Sequence, residues 1–307
     1  MGNINTVAGV ISSMQLGVTY AHEHLITHPP QFVVNEDPDL CMNDIEKAVE
    51  ELNLFSMAGG TAMVEMTTVD YGRNIHALRT IASRVPVHII APTGFLKGIY
   101  HTHLVRDKTI DQLADVMIRE VTEGINGTDS KAGVIKAGTG HNDISNDEEK
   151  VLRAAARAQI ATGAAISTHT EAGTMGLGQV KIFQSEGVEM EKVIIGHLDR
   201  NLDWDYHHAL AKEGVYLLYD NVSKEQYHPD SLRIEFIQRL IQKGYGKRVM
   251  LSGDFGRKSY FLTQNGGPGY TYILWRFIPW LRKMGISKSE IDDLLVNNPR
   301  AVFAISK

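Results

Sequence analysis

Short apolar segments alternate with amphipathic segments along almost the whole chain. Eight of the apolar segments are nearly continuous and rich in Val, Ile and Ala, which is typical of parallel strands covered on both faces. These predicted strands are Val18–Ala21, Thr61–Met66, Val87–Ala91, Ala132–Ala137, Ala164–Thr168, Val193–Ile195, Val215–Tyr219 and Val249–Leu251. The pattern therefore predicts an α/β protein built on a parallel sheet.

The segments between these strands carry apolar residues at helical spacing. The predicted helices are Met42–Met57, Ile75–Arg84, Ile110–Glu123, Asp147–Thr162, Gly176–Ser185, Trp204–Lys212, Asp230–Lys243, Tyr270–Lys283 and Lys288–Val296. Several end at a glycine before the next strand, as at Gly163 and Gly214, and such a glycine commonly stops a helix. Eight alternations in 307 residues favour a (β/α)₈ TIM barrel over an open doubly wound sheet. We expect one barrel domain over residues 1–307.

Three long irregular stretches follow predicted strands. They cover residues 28–40, 93–109 and 257–269. Loops after strands line the carboxyl-terminal face of a barrel, where barrel enzymes carry their chemistry. We therefore expect the functional site at that face.

The amino-acid composition and net charge exclude some classes of binding partner. The net charge of −5 and the pI near 6.2 provide no basic field for nucleic acid or anionic membranes. No apolar stretch approaches the roughly 18 residues of a membrane span, and the amino end lacks the pattern of a signal peptide. The single cysteine, Cys41, excludes an intrachain disulfide and fits a reducing compartment. We expect a cytoplasmic protein that acts on a small molecule.

Polar side chains stand where predicted strands give way to loops. His22 and His24 are two apart, so in an extended chain they point to the same face. His169, His197 and Asp254 end the fifth, sixth and eighth predicted strands. Imidazole is a common zinc ligand, and several inward-facing rings without partners would be costly to bury. A His-x-His pair alone is more often explained by packing or polar satisfaction than by metal binding. The full set instead predicts a hydrolytic metal site in which Asp254 also handles the proton of the attacking water.

Lys136 lies inside the apolar run Ala132–Ala137. Burial disfavours an ammonium and lowers its pKa, and the neutral amine can then add carbon dioxide to become a carbamate that bridges two metals. The other interpretation is an ammonium paired with a carboxylate across the barrel. Spacing alone leaves both open.

Together these residues resemble the phosphotriesterase-like branch of the amidohydrolase superfamily. The motifs that carry the likeness are Ala-His-Glu-His-Leu, Ser-Thr-His-Thr and Ile-Gly-His-Leu-Asp, in family order between Tyr20 and Gly256. The resemblance implies two divalent metal ions, usually zinc, with manganese, cobalt or iron as alternatives. A hydroxide that bridges the ions would attack the substrate, and Asp254 would accept its proton.

The resemblance also assigns a set of ligand residues to each ion. The more buried ion would be held by His22, His24, a carbamate on Lys136, and Asp254. The more exposed ion would be held by Lys136, His169 and His197.

The loop after the eighth predicted strand suggests an anionic substrate. Arg257, Lys258 and Tyr260 lie within a few residues of Asp254, and Lys224 lies in the loop after the seventh strand. Any one of these cations fits an ordinary solvated loop, but a guanidinium, ammonium and phenol together suit a phosphate or carboxylate.

The same loop resembles that of relatives that open phosphorylated sugar lactones. The likeness extends through the Gly-Gly-Pro-Gly of Gly266–Gly269. It implies that Arg257, Tyr260 and Lys224 hold the phosphate of the substrate. We add Lys258 and Tyr100, which lies in the loop after the third strand, as candidate substrate contacts.

These observations predict a binuclear metal-dependent hydrolase that opens a furanose lactone phosphate and, by analogy with other barrels, forms a homodimer. A lactonase for N-acyl-homoserine lactones or an organophosphate triesterase would keep the metals but favour an apolar pocket. A mononuclear deaminase would not call for Lys136. A non-catalytic metal-binding protein is the alternative from another class, and loss of a ligand residue would have favoured it.

Overall fold

The computed structural model describes residues 2–305, and in it a barrel follows a short amino-terminal hairpin. The hairpin pairs β1 (Asn3–Thr6) with β2 (Gly9–Ser12) antiparallel. The barrel strands are β3 (Thr19–Glu23), β4 (Ala62–Glu65), β5 (His88–Ile90), β6 (Pro92–Gly94), β7 (Val134–Thr139), β8 (Ala165–Thr170), β9 (Val193–Ile195), β10 (Tyr216–Tyr219) and β11 (Val249–Leu251). The hairpin is absent from the predicted elements because its turn, at Val7 and Ala8, lacks the glycine and asparagine signals of a tight hairpin.

The barrel strands are parallel and follow each other in chain order. One set of neighbours is β3-β4-β5 and the other runs from β6 to β11. Only Ala91 separates β5 from β6, so these two short strands occupy the third position of the barrel together. The last strand meets the first, because the Asp254 N–H donates to the His22 carbonyl at 3.2 Å and the His22 N–H donates to Ser252 Oγ at 3.0 Å. The predicted eight-stranded TIM barrel is confirmed.

Helices cover the outside of the barrel. They are α1 (Gln31–Glu36), α2 (Ile45–Met57), α3 (Ile75–Ala82), α4 (His103–Arg106), α5 (Ile110–Thr122), α6 (Asn146–Thr162), α7 (Gly176–Glu186), α8 (Trp204–Lys212), α9 (Asp230–Gln242), α10 (Leu262–Asn265), α11 (Ile278–Lys283), α12 (Lys288–Asp292) and α13 (Asn298–Phe303). Local sequence defines several ends: Asp44 caps α2, Ser145 forms a capping box with Glu148 at α6, and Gly163 ends α6 in a left-handed conformation. None of the helices within residues 2–305 is long and apolar enough to cross a bilayer.

The last two predicted helices differ in detail from the observed ones. A π-helical segment, Ile273–Phe277, leads into α11, and a second one, Asp293–Asn297, leads into α13. Each π segment stands directly before a helix with a proline in its first turn, Pro279 or Pro299. Because proline has no N–H to donate, the α-helical ladder is interrupted there and the wider turn accommodates the change.

The strands separate two apolar clusters. Side chains on the outer face of the strands pack against the helices, whereas alternate residues such as Val134, Ala165, Leu218 and Met250 fill the barrel interior. Ile4, Leu16 and Phe303 join the interior cluster from outside the barrel, and together these interior residues form the apolar end of the barrel. The carboxyl-terminal end of the interior is left for other side chains.

Candidate active site

The interior positions change character along each strand. Two residues beyond Val134 comes Lys136, and two beyond Leu218 comes Asp220; both side chains are buried. Ala165 is followed at the same spacing by Ser167 and His169. Because side chains in a strand alternate between faces, these polar groups lie above the apolar end of the barrel interior.

One cavity collects the predicted metal ligands. It measures about 180 Å³ and is bordered by His22, His24, Lys136, His169, His197 and Asp254. Tyr100, Lys224, Arg257 and Tyr260 border the same cavity. The structure therefore brings together all of the predicted site residues except Lys258.

Hydrogen-bond partners orient three of the four histidines. His24 Nδ1 lies 2.8 Å from Thr67 Oγ1, and the Thr67 hydroxyl in turn donates to Glu65. His197 Nδ1 donates to Asp220 Oδ1 at 2.9 Å, and His169 Nε2 donates to Glu171 Oε2 at 3.0 Å. With one ring nitrogen oriented in this way, the other nitrogen of each ring is the candidate metal-binding atom, as in known metal centres.

His22 is the most enclosed of the four rings. Its Nδ1 atom lies 3.1 Å from Asp220 Oδ2, yet neither atom has a hydrogen-bond partner among residues 2–305. Burial, reinforced by the nearby Lys136, lowers the pKa of His22 to about 3. Burial also lowers the pKa of His169 to about 3, with the adjacent His197 contributing. Both rings are thus neutral near pH 7, which is the state that binds a metal.

Asp254 stands between the histidines and a lysine. Its Oδ1 lies 3.2 Å from His24 Nε2 and 3.6 Å from His22 Nε2, while Lys224 Nζ donates to Oδ2 at 2.8 Å. Burial alone would raise the pKa of Asp254, but the Lys224 ammonium and the histidines outweigh it and hold that pKa well below its ordinary value. The backbone at Asp254 is left-handed, with φ of 48°, as is that of His197, with φ of 57°. Such conformations are uncommon outside glycine and occur often at functional sites.

Lys136 is buried and its Nζ lies 3.5 Å from His22 Nε2. Burial lowers the pKa of Lys136 to about 8, despite the opposing effect of Asp220 and Asp254. Within residues 2–305, no carboxylate oxygen lies within ion-pair distance of Lys136 Nζ, so the ion pair left open by the sequence is not found. The uncharged amine that carbamate formation requires is therefore accessible near neutral pH.

The donor groups fit divalent metal ions. The ligand atoms of His22, His24 and Asp254 lie within 4.8 Å of one another, as do those of His22, His197 and Asp220. The unpartnered buried atoms of His22 and Asp220 would be costly to maintain without a further partner. Neutral imidazoles and carboxylates are the ligands that zinc and similar ions prefer.

Sequence reasoning missed several buried acids of the site. Asp220 follows β10 directly, as Asp254 closely follows β11, so its position after a buried strand was an available signal. Burial opposes ionisation of Asp220, but His197 and His22 outweigh that effect and lower its pKa. Glu23 accepts hydrogen bonds from Ser252 Oγ, at 2.7 Å, and from the N–H groups of Gly253 and Phe255, at 2.6 and 2.8 Å. It holds the segment that carries Asp254, a role that depends on contacts no local pattern reveals.

The cationic side of the cavity comes from the loops after β10 and β11. Lys224 Nζ lies 5.3 Å from the centre of the Tyr260 ring, and Arg257 forms an ion pair with Asp37 of the loop after β3. Lys258 begins the 3₁₀ turn Lys258–Tyr260 and does not border the cavity. Arg257, which precedes this turn, and Tyr260, at its end, do border the cavity. The predicted contact of Lys258 with the substrate is therefore not supported by its position.

The similarity of this chain to known proteins shows that it is a metal-dependent hydrolase. More specifically, it belongs to the phosphotriesterase family, whose sequence profile matches residues 2–303. The resemblance seen in the sequence is thereby confirmed, and the family depends on a binuclear metal centre.

Relatives with different names match the chain over nearly its whole length. The phospho-furanose lactonase of Mycoplasmopsis synoviae (strain 53) is 35% identical over 325 residues, covering 98% of this chain and 92% of the relative. The N-acetyltaurine hydrolase of Danio rerio is 33% identical over 341 residues, covering 97% of each. Among solved structures, a lactonase from Listeria monocytogenes superposes with a TM-score of 0.95 and 35% identity, covering 99% of this chain and 100% of that one.

Proposed function

We propose that the protein hydrolyses a furanose lactone that carries a phosphate. The observation that carries the proposal is one cavity with two distinct sides. The proposed metal ligands occupy one side, and Lys224, Arg257 and Tyr260 border the other. The names of the lactonase relatives support the lactone part of the proposal.

The proposed metal ligands divide into two sets. His22, His24, Asp254 and a carbamate on Lys136 would bind one ion, and His169 and His197 with the same carbamate would bind the other. We propose zinc, with manganese, cobalt or iron as alternatives. When bound, two such ions supply an activated water and polarise the carbonyl of the substrate.

Asp254 would move the proton. Its Oδ2 atom is held by Lys224 and its Oδ1 atom faces His22 and His24. The carboxylate of Asp254 is therefore the group that accepts a proton from the attacking water and returns it to the ring oxygen that departs. Asp220 keeps the imidazole of His197 in a fixed tautomer and orientation during this step.

The cationic side would hold the phosphate. Arg257 offers a planar fork of N–H donors, Lys224 a compact charge and Tyr260 a phenol. Binding energy from a group that does not react positions the carbonyl that does. Lactones without the phosphate would not form these contacts and would be poor substrates.

Other anions and neutral esters are the competitors. N-acetyltaurine is an amide with a sulfonate, so the cationic side alone does not separate it from a lactone phosphate. N-acyl-homoserine lactones and organophosphate triesters carry no such charge, and the cations that border the cavity disfavour them. A direct comparison of rates separates all of these classes.

The test is steady-state hydrolysis by the metal-reconstituted protein of paired sugar lactones with and without a terminal phosphate. N-acetyltaurine, a lipophilic lactone and a phosphotriester are the comparison substrates. Arg257→Ala should raise the KM of the phosphorylated lactone about 10- to 100-fold, as expected for a lost hydrogen bond to a charged group, and leave the unphosphorylated one unchanged. Arg282→Ala, an exposed arginine of α11, is the matched control. Equal rates on both lactones, or faster hydrolysis of N-acetyltaurine, would overturn the proposal.

The single domain, the cytoplasmic location and the homodimer stay predictions. Light scattering coupled to size-exclusion chromatography tests the homodimer directly.

A further inference from the structure

A second polar cluster borders the cavity away from the phosphate-binding residues. Lys97 forms an ion pair with Glu171 Oε2, and Arg200 lies 3.4 Å from Glu171 Oε1. Lys97 itself borders the cavity and is 21% exposed. We call Lys97, Glu171 and Arg200 the acidic-centred cluster.

The barrel places Lys97 across the cavity from Lys224. Lys97 follows β6, which belongs to the third strand position, whereas Lys224 and Arg257 follow β10 and β11, the seventh and eighth positions. In a closed barrel of eight strands, the third and seventh positions face each other across the axis. A substrate held by its phosphate at one wall therefore extends toward Lys97 at the other.

Glu171 links the cluster to the metal-binding side. The same carboxylate that pairs with Lys97 also accepts a hydrogen bond from His169 Nε2 at 3.0 Å. Lys97 is thus connected through Glu171 to His169, on the side of the cavity where we expect the carbonyl of the substrate. An ammonium has three N–H donors, and Glu171 is the partner of Lys97 Nζ within the described part of the chain, so donors remain for a ligand in the cavity.

We propose that Lys97, positioned by Glu171, binds the hydroxyl next to the lactone carbonyl and determines specificity for it. The inference rests on the proposed function, because it assumes a sugar lactone held by its phosphate. Lys97 donates to the oxygen of this hydroxyl. A site built to bind a hydroxyl discriminates strongly against an analogue that lacks it.

The experiment combines removal of the lysine with removal of the hydroxyl. Wild type, Lys97→Met, Lys97→Arg and Lys243→Met are assayed on a furanose lactone phosphate and on its 2-deoxy analogue, and on the unphosphorylated forms of both. Lys243 is an exposed lysine at the end of α9 and serves as the matched control. Metal content per chain is measured for each variant, because Glu171 connects Lys97 to His169.

Lys97→Met should lower kcat/KM for the 2-hydroxy substrate by about 10- to 100-fold, the range for a lost hydrogen bond to a charged group, and change that for the 2-deoxy analogue less than about twofold. Metal content should stay at the wild-type value, Lys97→Arg should keep most of the preference, and Lys243→Met should change neither rate. An equal loss on both substrates, or loss of metal, would overturn the proposal in favour of a structural role.

The two proposals fail in different ways. A wild-type protein that ignores the phosphate contradicts the proposed function, while the ratio of 2-hydroxy to 2-deoxy rates still measures the contribution of Lys97. A wild-type protein that hydrolyses none of the four lactones overturns both.

Discussion

The two ends of the barrel interior are built from the same strands but from different chemistry. At the amino-terminal end, Val134, Leu218 and Met250 pack with Phe303 in an apolar cluster. At the carboxyl-terminal end, the same strands or the segments that follow them present Lys136, Asp220 and Asp254. In each case, the residue in the apolar cluster and the residue in the candidate active site are two or four positions apart in the chain.

The difference shows how the fold supports a costly site. Burying an amine, several imidazoles and carboxylates together is unfavourable unless each finds a partner. The apolar end contributes stability through burial of surface and needs no partners. Its residues can thus support the polar end without taking part in the chemistry, and substitutions at the two ends should have opposite signatures.

The largest effect is expected at Lys136. Lys136→Met removes the amine on which the proposed carbamate forms, so metal content should fall below that of wild type and activity should fall to background. The free energy of unfolding of the metal-free protein should not decrease, because a buried amine is replaced by an apolar side chain of similar length. Elemental analysis and thermal unfolding with a chelator check both expectations.

Lys136→Glu is the informative companion. It supplies a carboxylate near the place of the carbamate, and we expect it to retain more metal than Lys136→Met. Equal metal content in the two variants and wild type would contradict a ligand role for Lys136.

Asp254→Asn should act on the chemistry more than on the fold. The amide keeps the shape of the side chain but cannot accept the proton, so kcat should fall by about 10²- to 10⁴-fold, the usual contribution of general acid-base catalysis. Circular dichroism should show an unchanged fold. Activity within a few fold of wild type at equal metal loading would remove Asp254 from the proton transfer.

Phe303→Ala tests the apolar end. The ring is fully buried in the interior cluster, so its loss should reduce the free energy of unfolding by about 3 to 5 kcal/mol. The value of kcat per folded molecule should stay near wild type, because the proposed metal ligands lie at the other end. Val10→Ala, at a side chain 55% exposed on the hairpin, is the control and should change stability little. A large loss of kcat in Phe303→Ala would break the separation of the two ends.

The smallest predicted effect is a pH dependence at the rim of the polar end. Asp70 is buried in the turn after β4 and accepts a hydrogen bond from the Leu96 N–H at 3.1 Å. Burial raises the pKa of Asp70 from 3.8 to about 6, so its contribution to stability is complete below pH 3.8 and is lost as the pH rises through 6. Asp70→Asn lacks this titration, and its stability relative to wild type should increase from pH 4 to pH 6 and then level off. Urea unfolding at pH 4, 5, 6 and 7 measures the difference in the free energy of unfolding between Asp70→Asn and wild type. A difference that is the same at all four pH values would contradict the prediction.

Local pattern predicted most of the architecture. The predicted strand at Ala132–Ala137 corresponds to β7, and that at Val249–Leu251 coincides with β11. The predicted strand at Val87–Ala91 corresponds to β5, and a further short strand, β6, follows Ala91 and begins at Pro92, which has no N–H for the sheet. Agreement is best where strands are buried on both faces, because such strands have an unbroken apolar sequence.

The site was predicted in part. Residues at the ends of strands, such as His169 and Asp254, could be placed because parallel strands end at a common face. The partners that orient them, such as Glu171 for His169 and Glu23 for the segment of Asp254, could not, because these contacts join residues distant in sequence or distinguished by no pattern. Lys258 is a further example, because the sequence does not reveal that Arg257 borders the cavity and the adjacent Lys258 does not.

The alternation of strands and helices, the barrel, and the resemblance of the histidine, lysine and aspartate set to the phosphotriesterase family could all be predicted from the sequence alone. Periodicity and residue type are local properties. In a parallel barrel, the periodicity decides on which face of a strand a side chain lies, and its position along the strand decides at which end of the barrel it lies. The folded structure adds what the sequence could not show: within residues 2–305, Lys136 has no carboxylate at ion-pair distance, Asp220 lies between His22 and His197, and Lys97 stands across the cavity from Lys224. Those relations depend on closure of the barrel and on loop conformation, which bring together groups that no stretch of sequence contains.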